Sequence, residues 1–318
     1  MKVLVTGGAG FIGANLVRRL ETLSEVTEVV VVDDLSFGCR ENLDGTSATL
    51  LEGSVLDKEL LSQAIDGVST VVHLAARSSV PRSIAEPMAT HEVNATGGAL
   101  VLEAARQAGD VHVIVASSSS VYGSTDVLPK HEGLPARPIS PYAASKLASE
   151  AYALAWGHSY DISVLALRFF NVFGPLQSPT HAYAAVIPTF LAAACQDRPL
   201  PIFGDGNQTR DFTFVESVVD VLCQAISRRS SYTEPVNLAF GSQVTLLELV
   251  AELETIFGRK LAIDHQPARA GDVYRSQADA ALLLELFPEL VPTDLAAGLR
   301  ATVEWFESTR PWEHQITS

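Results

Sequence analysis

The chain opens with Lys2-Val3-Leu4-Val5-Thr6-Gly7-Gly8-Ala9-Gly10-Phe11-Ile12-Gly13, the stretch that decides its fold. The apolar, β-branched run Lys2–Thr6 predicts a buried strand. Glycines follow at Gly7, Gly10 and Gly13, and a helical pattern continues to Leu20. With this spacing, the first glycine permits a tight turn, the second lets the backbone approach a pyrophosphate, and the third allows close helix-to-strand packing. The stretch therefore predicts a phosphate site at the start of a helix.

A second apolar run, Glu28–Asp33, predicts another strand that ends in a carboxylate. Asp33 lies about 20 residues beyond Gly13, where an acidic residue meets the ribose of a bound dinucleotide. Such a carboxylate accepts hydrogen bonds from the ribose hydroxyls and repels a 2′-phosphate. The sequence therefore predicts NAD rather than NADP. The alternative is that Asp33 serves only as a turn or cap residue.

Predicted strands and helices alternate along the first half of the chain, which is typical of a parallel sheet covered by helices on both faces. The expected fold is α/β, a Rossmann-type doubly wound sheet. We place an NAD-binding domain at 1–173 and a smaller α/β substrate domain at 174–318, with segments near 210–240 returning to the first domain. The predicted strands are Thr49–Glu52, Thr70–His73, Val111–Ala116 and Ser163–Phe169, and the predicted helices are Ala95–Ala108, Ala143–His158 and Thr245–Phe257.

Tyr142 and Lys146 stand one helical turn apart and therefore share a helix face. A positive charge beside a phenol favours tyrosinate and brings its pKa closer to working pH, which makes the pair a candidate base. Taken alone, the spacing is also common on ordinary solvated helices. Ser118, at the end of a predicted strand, and the glycine loop favour the catalytic interpretation.

These residues resemble the extended short-chain dehydrogenase/reductase family, specifically its nucleotide-sugar epimerases and dehydratases. Six separated motifs in the family's order carry the resemblance over nearly the whole chain. Within the family, the stretches 79–83, 140–142 and 182–188 look most like UDP-N-acetylhexosamine 4-epimerases. The six motifs are Thr6–Gly13, Val72–Ala76, the serines around Ser118, Tyr142–Lys146, Leu167–Pro175, and Phe203–Gly206 with Arg210–Phe212.

The resemblance implies a role for each matching residue. Tyr142 would be the catalytic base, Lys146 its pKa-tuner and nicotinamide-ribose ligand, and Ser118 the group that shares the proton. The implied NAD contacts are Gly7, Gly10, Phe11, Ile12, Gly13, Asp33, Ser36, Ser54, Val55, Leu74, Ala75, Ala76, Asn94, Tyr142 and Lys146. The implied UDP-sugar contacts are Ser78, Ser79, Ser118, Tyr142, Asn171, Val186, Phe203, Arg210, Arg269, Asp272 and Ser276.

Ser54 and the pair Thr180-His181 depart from the family pattern, and Ser276 bears on which substrate the pocket admits. Ser54 stands where relatives commonly carry Asp, which removes one hydrogen bond to the adenine, worth about 0.5–1.5 kcal/mol. Thr180-His181 replaces the Asn-Gly of N-acetylhexosamine enzymes. Ser276 stands where a bulky aromatic restricts some members to unmodified hexoses, so a serine leaves room for an N-acetyl group; the alternative is a merely solvated small residue.

The positions after Ser118 discriminate between reactions. Sugar 4,6-dehydratases carry Asp-Glu there, whereas this chain has Ser119-Ser120. The expected activity is therefore a UDP-hexose 4-epimerase acting on UDP-GlcNAc/UDP-GalNAc, with UDP-Glc/UDP-Gal as further substrates. The alternatives are a UDP-uronic acid 4-epimerase, another NAD-dependent sugar-nucleotide dehydratase or reductase, and a non-catalytic NAD-binding scaffold.

The amino-acid composition argues against several other classes of protein. The 318 residues carry a net charge of −15, which argues against nucleic-acid binding, and 47% are hydrophobic, as in a globular protein. The longest apolar stretch, 181–195, is broken by Pro188 and is shorter than a membrane span. Cys39, Cys195 and Cys223 imply neither a disulfide framework nor a metal site. We expect no metal and a cytoplasmic location. The family resemblance further implies a homodimer formed through a four-helix bundle of the two Ala-rich helices.

Overall fold

The computed structural model describes residues 1–180, 184–268 and 274–313. The strands, in chain order, are β1 (Lys2–Thr6), β2 (Glu28–Asp33), β3 (Thr49–Glu52), β4 (Thr70–His73), β5 (His112–Ser118), β6 (Val164–Phe169), β7 (Val172–Phe173), β8 (Leu200–Phe203), β9 (Thr209–Arg210), β10 (Thr213–Phe214), β11 (Val236–Leu238), β12 (Val244–Thr245) and β13 (Ile263–Gln266). The helices are α1 (Phe11–Leu20), α2 (Lys58–Ala64), α3 (Val80–Ala85), α4 (Pro87–His91), α5 (Gly97–Ala108), α6 (Pro141–Tyr160), α7 (Val186–Cys195), α8 (Val215–Arg228), α9 (Leu246–Phe257), α10 (Ala281–Leu286) and α11 (Leu295–Thr309).

Seven parallel strands form the main sheet in the order β11-β6-β5-β4-β1-β2-β3. The chain adds strands on one side of β1 up to β3 and then crosses to β4 on the other side. This reversal opens a crevice at the carboxyl ends of β1 and β4, where ligands of such sheets bind. The predicted Rossmann-type parallel sheet is confirmed.

Helices cover both faces of the sheet, because alternate side chains of each strand point to opposite faces. Val3 and Val5 of β1 pack toward α1 and α8 in one buried apolar cluster. Leu4 points the other way and packs in a second cluster with residues of α2 and α5. Burial on both faces explains why the strands read as continuous apolar runs.

Helix termini follow the capping residues in the sequence. Ser140 accepts a hydrogen bond from Ala143 N (3.1 Å) and Pro141 occupies the first turn, so α6 begins two residues before the predicted start. Thr245 and Glu248 form the predicted capping box of α9. The helix predicted from Ala95 is α5, which begins at Gly97 after a π-helical turn, Glu92–Thr96.

The second half of the chain both returns to the main sheet and builds a smaller lobe beside it. β11 pairs with β6 at the sheet edge, and α8 packs on α1. In the smaller lobe, β8 pairs in parallel with β13 and contacts α7, and α11 packs on α7 and α9. Over the described ranges, no helix has the length and apolarity that crossing a membrane requires.

Candidate active site

The glycine loop joins β1 to α1 and lines a cleft of about 1540 Å³ at the carboxyl ends of the strands. Gly7 has a φ of +72°, and a Cβ there would lie 2.7 Å from the backbone N of Ala75. A Cβ on Gly13 would lie 2.2 Å from Gly7 O. Gly10 is the N-cap residue of α1, and the first helical turn, Phe11 and Ile12, lines the cleft. Unpaired N–H groups at a helix start that no side chain obstructs fit a pyrophosphate.

Asp33 stands at the end of β2 beside the glycine loop. Its Oδ2 accepts a hydrogen bond from Ala9 N and its Oδ1 accepts one from Leu35 N, both at 2.9 Å. Burial raises the pKa of the Asp33 carboxyl, and the two backbone donors lower it. Each oxygen can accept a further hydrogen bond, and Asp33 lines the cleft, so the site fits the ribose of NAD.

Of the other residues predicted to contact the adenosine, two line the cleft and one does not. Ser36 and Val55 line the cleft, and the Ser36 hydroxyl donates to Asp34 Oδ1 (2.5 Å). Ser54 does not line it in the described part of the chain; its Oγ accepts a hydrogen bond from Leu56 N (3.2 Å). Contact between Ser54 and the adenine stays a prediction.

The loop after β4 forms the opposite wall of the cleft. Asn94, in the π-helical turn, fixes this loop from behind, because its Oδ1 accepts from Arg77 N (2.8 Å) and its Nδ2 donates to Arg77 O (3.3 Å). Asn94 Nδ2 also donates to Ser145 Oγ (2.9 Å), which ties the loop to α6. Asn94 is 2% exposed, so the structure places it one layer behind the cleft. The wall residues themselves are Leu74, Ala75, Ala76, Ser78 and Ser79.

One face of α6 carries Tyr142, Lys146 and Glu150 at successive turns, and each contacts a different residue at the end of β5. Lys146 Nζ donates to Ala116 O (2.8 Å). Glu150 Oε2 accepts from Ser117 Oγ (2.6 Å). The Tyr142 phenol lies close enough to Ser118 for a hydrogen bond between them to lower the pKa of the phenol. The structure therefore brings the three predicted catalytic residues together at the cleft, which all three line.

The Ser118 hydroxyl is oriented by its neighbour Ser120. Ser118 Oγ accepts hydrogen bonds from Ser120 N (3.2 Å) and from Ser120 Oγ (2.9 Å). Both lone pairs of the Ser118 oxygen are thus engaged, which leaves its own proton to be donated. The Tyr142 phenol is in position to receive it.

Burial dominates the pKa values of the pair on α6. It lowers the pKa of Lys146 from 10.5 to about 8. Burial also raises the pKa of Tyr142, and the hydrogen bond with Ser118 lowers it. The sequence predicted that Lys146 would lower the pKa of Tyr142, and that effect stays a prediction. At neutral pH a lysine with a pKa of about 8 is still largely protonated, so its charge remains available beside the phenol.

A buried ion pair supports this arrangement. Arg168 of β6 donates from Nε and Nη2 to the two oxygens of Glu150, at 2.9 and 2.7 Å. Both side chains are almost fully buried, and bidentate pairs of this type are geometrically specific. Because Glu150 also accepts from Ser117, the ion pair fixes the end of β5 against α6.

A second cavity of about 240 Å³ adjoins the cleft, and the two share several lining residues, Asn171 among them. Val186, Phe203 and Arg210 also line it, so four predicted substrate contacts meet in one place. Asn171 Nδ2 donates to Asp211 O (3.2 Å), which fixes its side chain at the cavity wall.

The remaining predicted substrate contacts are not placed in either cavity. Ser276 is 7% exposed, its N–H donates to Thr209 O (3.2 Å), and it lines neither cavity within the described ranges. Arg269, Asp272 and His181 lie outside the described residues.

Several cleft residues were not singled out by the sequence. Phe37 and Arg82 line the cleft, and their side chains are in contact. They are 45 positions apart and belong to no shared periodicity, so only the fold reveals their proximity. In the sequence, Ser120 stood out only because it replaces an acid. Its hydrogen bonds to Ser118 arise because a tight 3-10 turn begins directly after Ser118. Trp305 and Thr309 of α11 complete the wall.

Comparison with known proteins gives a consistent result. Residues 3–239 match the model of the NAD dependent epimerase/dehydratase family. The chain is 36% identical over 314 residues to a UDP-glucose 4-epimerase of Mycolicibacterium smegmatis, covering 97% of this chain and 99% of the relative.

Two solved structures share the fold over nearly their whole length. One is a UDP-glucose 4-epimerase of Thermotoga maritima with UDP-glucose, 34% identical, with a TM-score of 0.91 and coverage of 98% of this chain and 100% of the other. Another is a UDP-N-acetylglucosamine 4-epimerase of Methanobrevibacter ruminantium in complex with UDP-N-acetylmuramic acid, 34% identical, with a TM-score of 0.90 and coverage of 96% and 98%. The resemblance inferred from the motifs is confirmed, and the chain belongs to the NAD dependent epimerase/dehydratase family of sugar-nucleotide enzymes.

Proposed function

We propose that this protein is a UDP-hexose 4-epimerase that interconverts UDP-GlcNAc and UDP-GalNAc, and also accepts UDP-Glc and UDP-Gal. The observation that carries the proposal is the arrangement of Tyr142, Ser118 and Lys146 at the cleft, followed by Ser119 and Ser120 instead of two carboxylates.

The proton is handled by Tyr142 and Ser118. Ser118 donates to the phenol oxygen, which stabilises tyrosinate and lets Tyr142 take the proton of the sugar 4-hydroxyl. Bound NAD, held by the glycine loop, Asp33 and Lys146, would supply the redox chemistry, the transfer of a hydride from and back to C4 of the sugar. Tyr142 then gives the proton back to the 4-oxygen. Lys146, with a pKa of about 8, is largely protonated at neutral pH and is suited to hold the nicotinamide ribose.

Dehydration requires an acid and a base that remove water across C5 and C6. Ser119 and Ser120 occupy the positions after Ser118, and neither hydroxyl titrates near neutral pH. Ser120 is in addition engaged with Ser118. The chain thus retains the groups for proton removal at a 4-hydroxyl without those for elimination.

The diphosphate and nucleotide belong in the second cavity. Arg210 supplies positive charge there, and Asn171, Val186 and Phe203 form its wall. Arg269 and Asp272 are proposed as further diphosphate and ribose ligands. Ser78 and Ser79 line the cleft, where their small side chains leave room for a substrate that carries an N-acetyl group.

Two further features of organisation are proposed with the function. The NAD-binding domain comprises 1–173 and the substrate domain 174–318, with the 210–240 region shared.

The protein forms a homodimer through α5 and α6. Tyr152 and Tyr160 of α6 are 43% and 51% exposed and each contacts Trp156 edge-on, with ring centroids 5.7 Å apart. Exposed aromatic residues on one helix face are typical of an interface, and light scattering measures the mass of the resulting dimer.

A UDP-uronic acid 4-epimerase is the second candidate. Lys130 is a 2% exposed cation whose pKa is lowered by burial and by the nearby charge of Arg210. Lys130 lines neither cavity in the described ranges, so the cation that would meet the carboxylate of a uronic acid is Arg210, which lines the second cavity.

A panel of UDP-GlcNAc, UDP-Glc and UDP-GlcA, followed by proton NMR without added reductant, tests the proposal. We expect a new anomeric signal of the C4 epimer with UDP-GlcNAc. Turnover of UDP-GlcA alone would select the second candidate. A methyl signal from a 4-keto-6-deoxy sugar would show a dehydratase, and NAD-loaded protein that converts none of the three would indicate a non-catalytic scaffold.

A further inference from the structure

The sheet order places the glycine loop between two other loops. β1 lies between β4 and β2, so the loops that follow β4 and β2 rise on either side of the loop that follows β1. All three loops line the cleft. A contact between the two outer loops must therefore pass over the glycine loop, where the pyrophosphate of the cofactor is expected.

The loop after β2 is fixed directly against the glycine loop. Cys39 N donates to Ala9 O (3.3 Å), and Asn42 Nδ2 donates to the same oxygen (2.8 Å). A Cβ on Gly38 would lie 2.5 Å from Ala9 O, so the two backbones are in close contact. Phe37 precedes this fixed point, which holds its ring at the rim of the cleft.

Arg82 reaches this ring from the opposite rim. It lies in the first turn of α3, where Ser79 Oγ accepts a hydrogen bond from Arg82 N (3.2 Å). The Arg82 guanidinium carbon lies 4.3 Å from the centroid of the Phe37 ring, within cation–π range. Both side chains are half-buried and line the cleft.

Arg82 and its neighbour Arg77 differ in whether a carboxylate neutralises their positive charge. Arg77 forms an ion pair with Glu86, whereas no carboxylate of the described residues pairs with Arg82. An unneutralised guanidinium over a cleft that holds a pyrophosphate attracts that group. The same side chain therefore joins the two rims and favours the anion beneath them.

We propose that Phe37 and Arg82 form a clasp across the cofactor cleft, and that opening of this clasp controls the release of NAD. A family reaction that removes and returns a hydride requires the same cofactor molecule to stay bound. The clasp concerns NAD alone, so it stands whichever sugar nucleotide the protein accepts.

NAD release from the purified holoprotein tests the clasp without any sugar substrate. Released NAD is trapped by an alcohol dehydrogenase with ethanol and followed at 340 nm. We expect Phe37→Ala and Arg82→Ala each to accelerate release about 5- to 30-fold, the range that corresponds to a partly desolvated cation–π contact. Phe37→Tyr keeps the aromatic face and should release NAD at the wild-type rate, whereas Phe37→Leu should not.

The double variant and a control on α3 complete the design. Because the two side chains act through one contact, the double variant should release NAD no faster than Arg82→Ala. Ile84→Ala removes a 66% exposed side chain from the same helix and should leave release unchanged. Wild-type release from Phe37→Ala or from Phe37→Leu would overturn the proposal, as would multiplicative effects in the double variant. Thermal melting confirms that each variant is folded.

Discussion

Ser120 donates two hydrogen bonds to the oxygen of Ser118, one from its backbone N–H (3.2 Å) and one from its hydroxyl (2.9 Å). The Ser118 proton is therefore directed outward, toward Tyr142 and the expected position of the sugar 4-oxygen. An orienting role of this kind acts on the chemical step rather than on binding.

Ser120→Ala should lower kcat about 3- to 10-fold with little change in KM, because one net hydrogen bond contributes about 0.5–1.5 kcal/mol. The pH at which the rate reaches half its maximum should also rise, because a less ordered Ser118 stabilises the Tyr142 phenolate less. Steady-state kinetics against pH measure both, and Ser120→Thr should restore the rate.

Ser119→Ala is the matched control for Ser120. Ser119 lines the same cleft, but its side chain makes no hydrogen bond to the described residues. An equal loss in the two alanine variants would show that Ser120 has no orienting role.

Breaking the ion pair between Glu150 and Arg168 should destabilise the whole fold. Glu150→Gln leaves a buried guanidinium unpaired, and the free energy of unfolding should fall by about 3–5 kcal/mol. Urea denaturation measures it. Glu103→Gln removes a carboxylate from an exposed ion pair with Arg106 and should have a far smaller effect; similar losses in both variants would refute the role of burial.

Acid should destabilise the protein through His73. Burial, assisted by the charge of Lys146, lowers the pKa of His73 from 6.5 to about 3. Between these values the unfolded chain binds a proton that the folded chain does not, so stability is full above pH 6.5 and falls as the pH drops toward 3. The slope for one such histidine approaches about 1.4 kcal/mol per pH unit.

His73→Gln removes that contribution, whatever its effect on stability at neutral pH. Urea titrations between about pH 6 and pH 4.5 measure how the free energy of unfolding changes with pH. This change should be smaller in the variant than in the wild type. His112, with a pKa of about 4, contributes to the slope that remains. Parallel slopes in the two proteins would contradict the assignment.

Gly13→Ala should abolish retention of NAD. Its Cβ would lie 2.2 Å from Gly7 O and 2.6 Å from Gly8 Cα, so α1 and the loop must separate, at a cost of about 1–3 kcal/mol or more. NAD per chain after purification is measured by chromatography of the denatured protein. Gly133→Ala is the control, because its Cβ meets only the exposed His131 ring, at 3.3 Å; full NAD content in Gly13→Ala would refute the packing argument.

Local sequence signals predicted the main sheet well. β1 and β2 have the predicted bounds because each is a β-branched run that ends at a glycine or a carboxylate. The family resemblance implied that Tyr142 and Ser118 meet, and the fold explains why, since the end of a strand and the start of the next helix share one edge of a parallel sheet. Contacts between residues distant in sequence, such as Phe37 with Arg82, carry no such signal.

The burial of the catalytic pair could not be predicted from the sequence. Helical spacing shows that Tyr142 and Lys146 share a face, but it does not show how deeply both are buried. Burial lowers the pKa of Lys146 to about 8 and raises that of Tyr142, and neither effect follows from helical spacing alone. The degree of burial depends on packing against β5, which only the tertiary structure supplies.

The most direct test of the proposed function is the rate at which Tyr142→Phe interconverts UDP-GlcNAc and UDP-GalNAc, followed by proton NMR beside the wild type. Loss of the phenol removes the only proposed base, and general bases contribute about 10²- to 10⁴-fold. We predict C4 epimerisation by the wild type and a loss of at least about 100-fold in the variant, with NAD content retained. Turnover by Tyr142→Phe at a rate near that of the wild type would contradict the account.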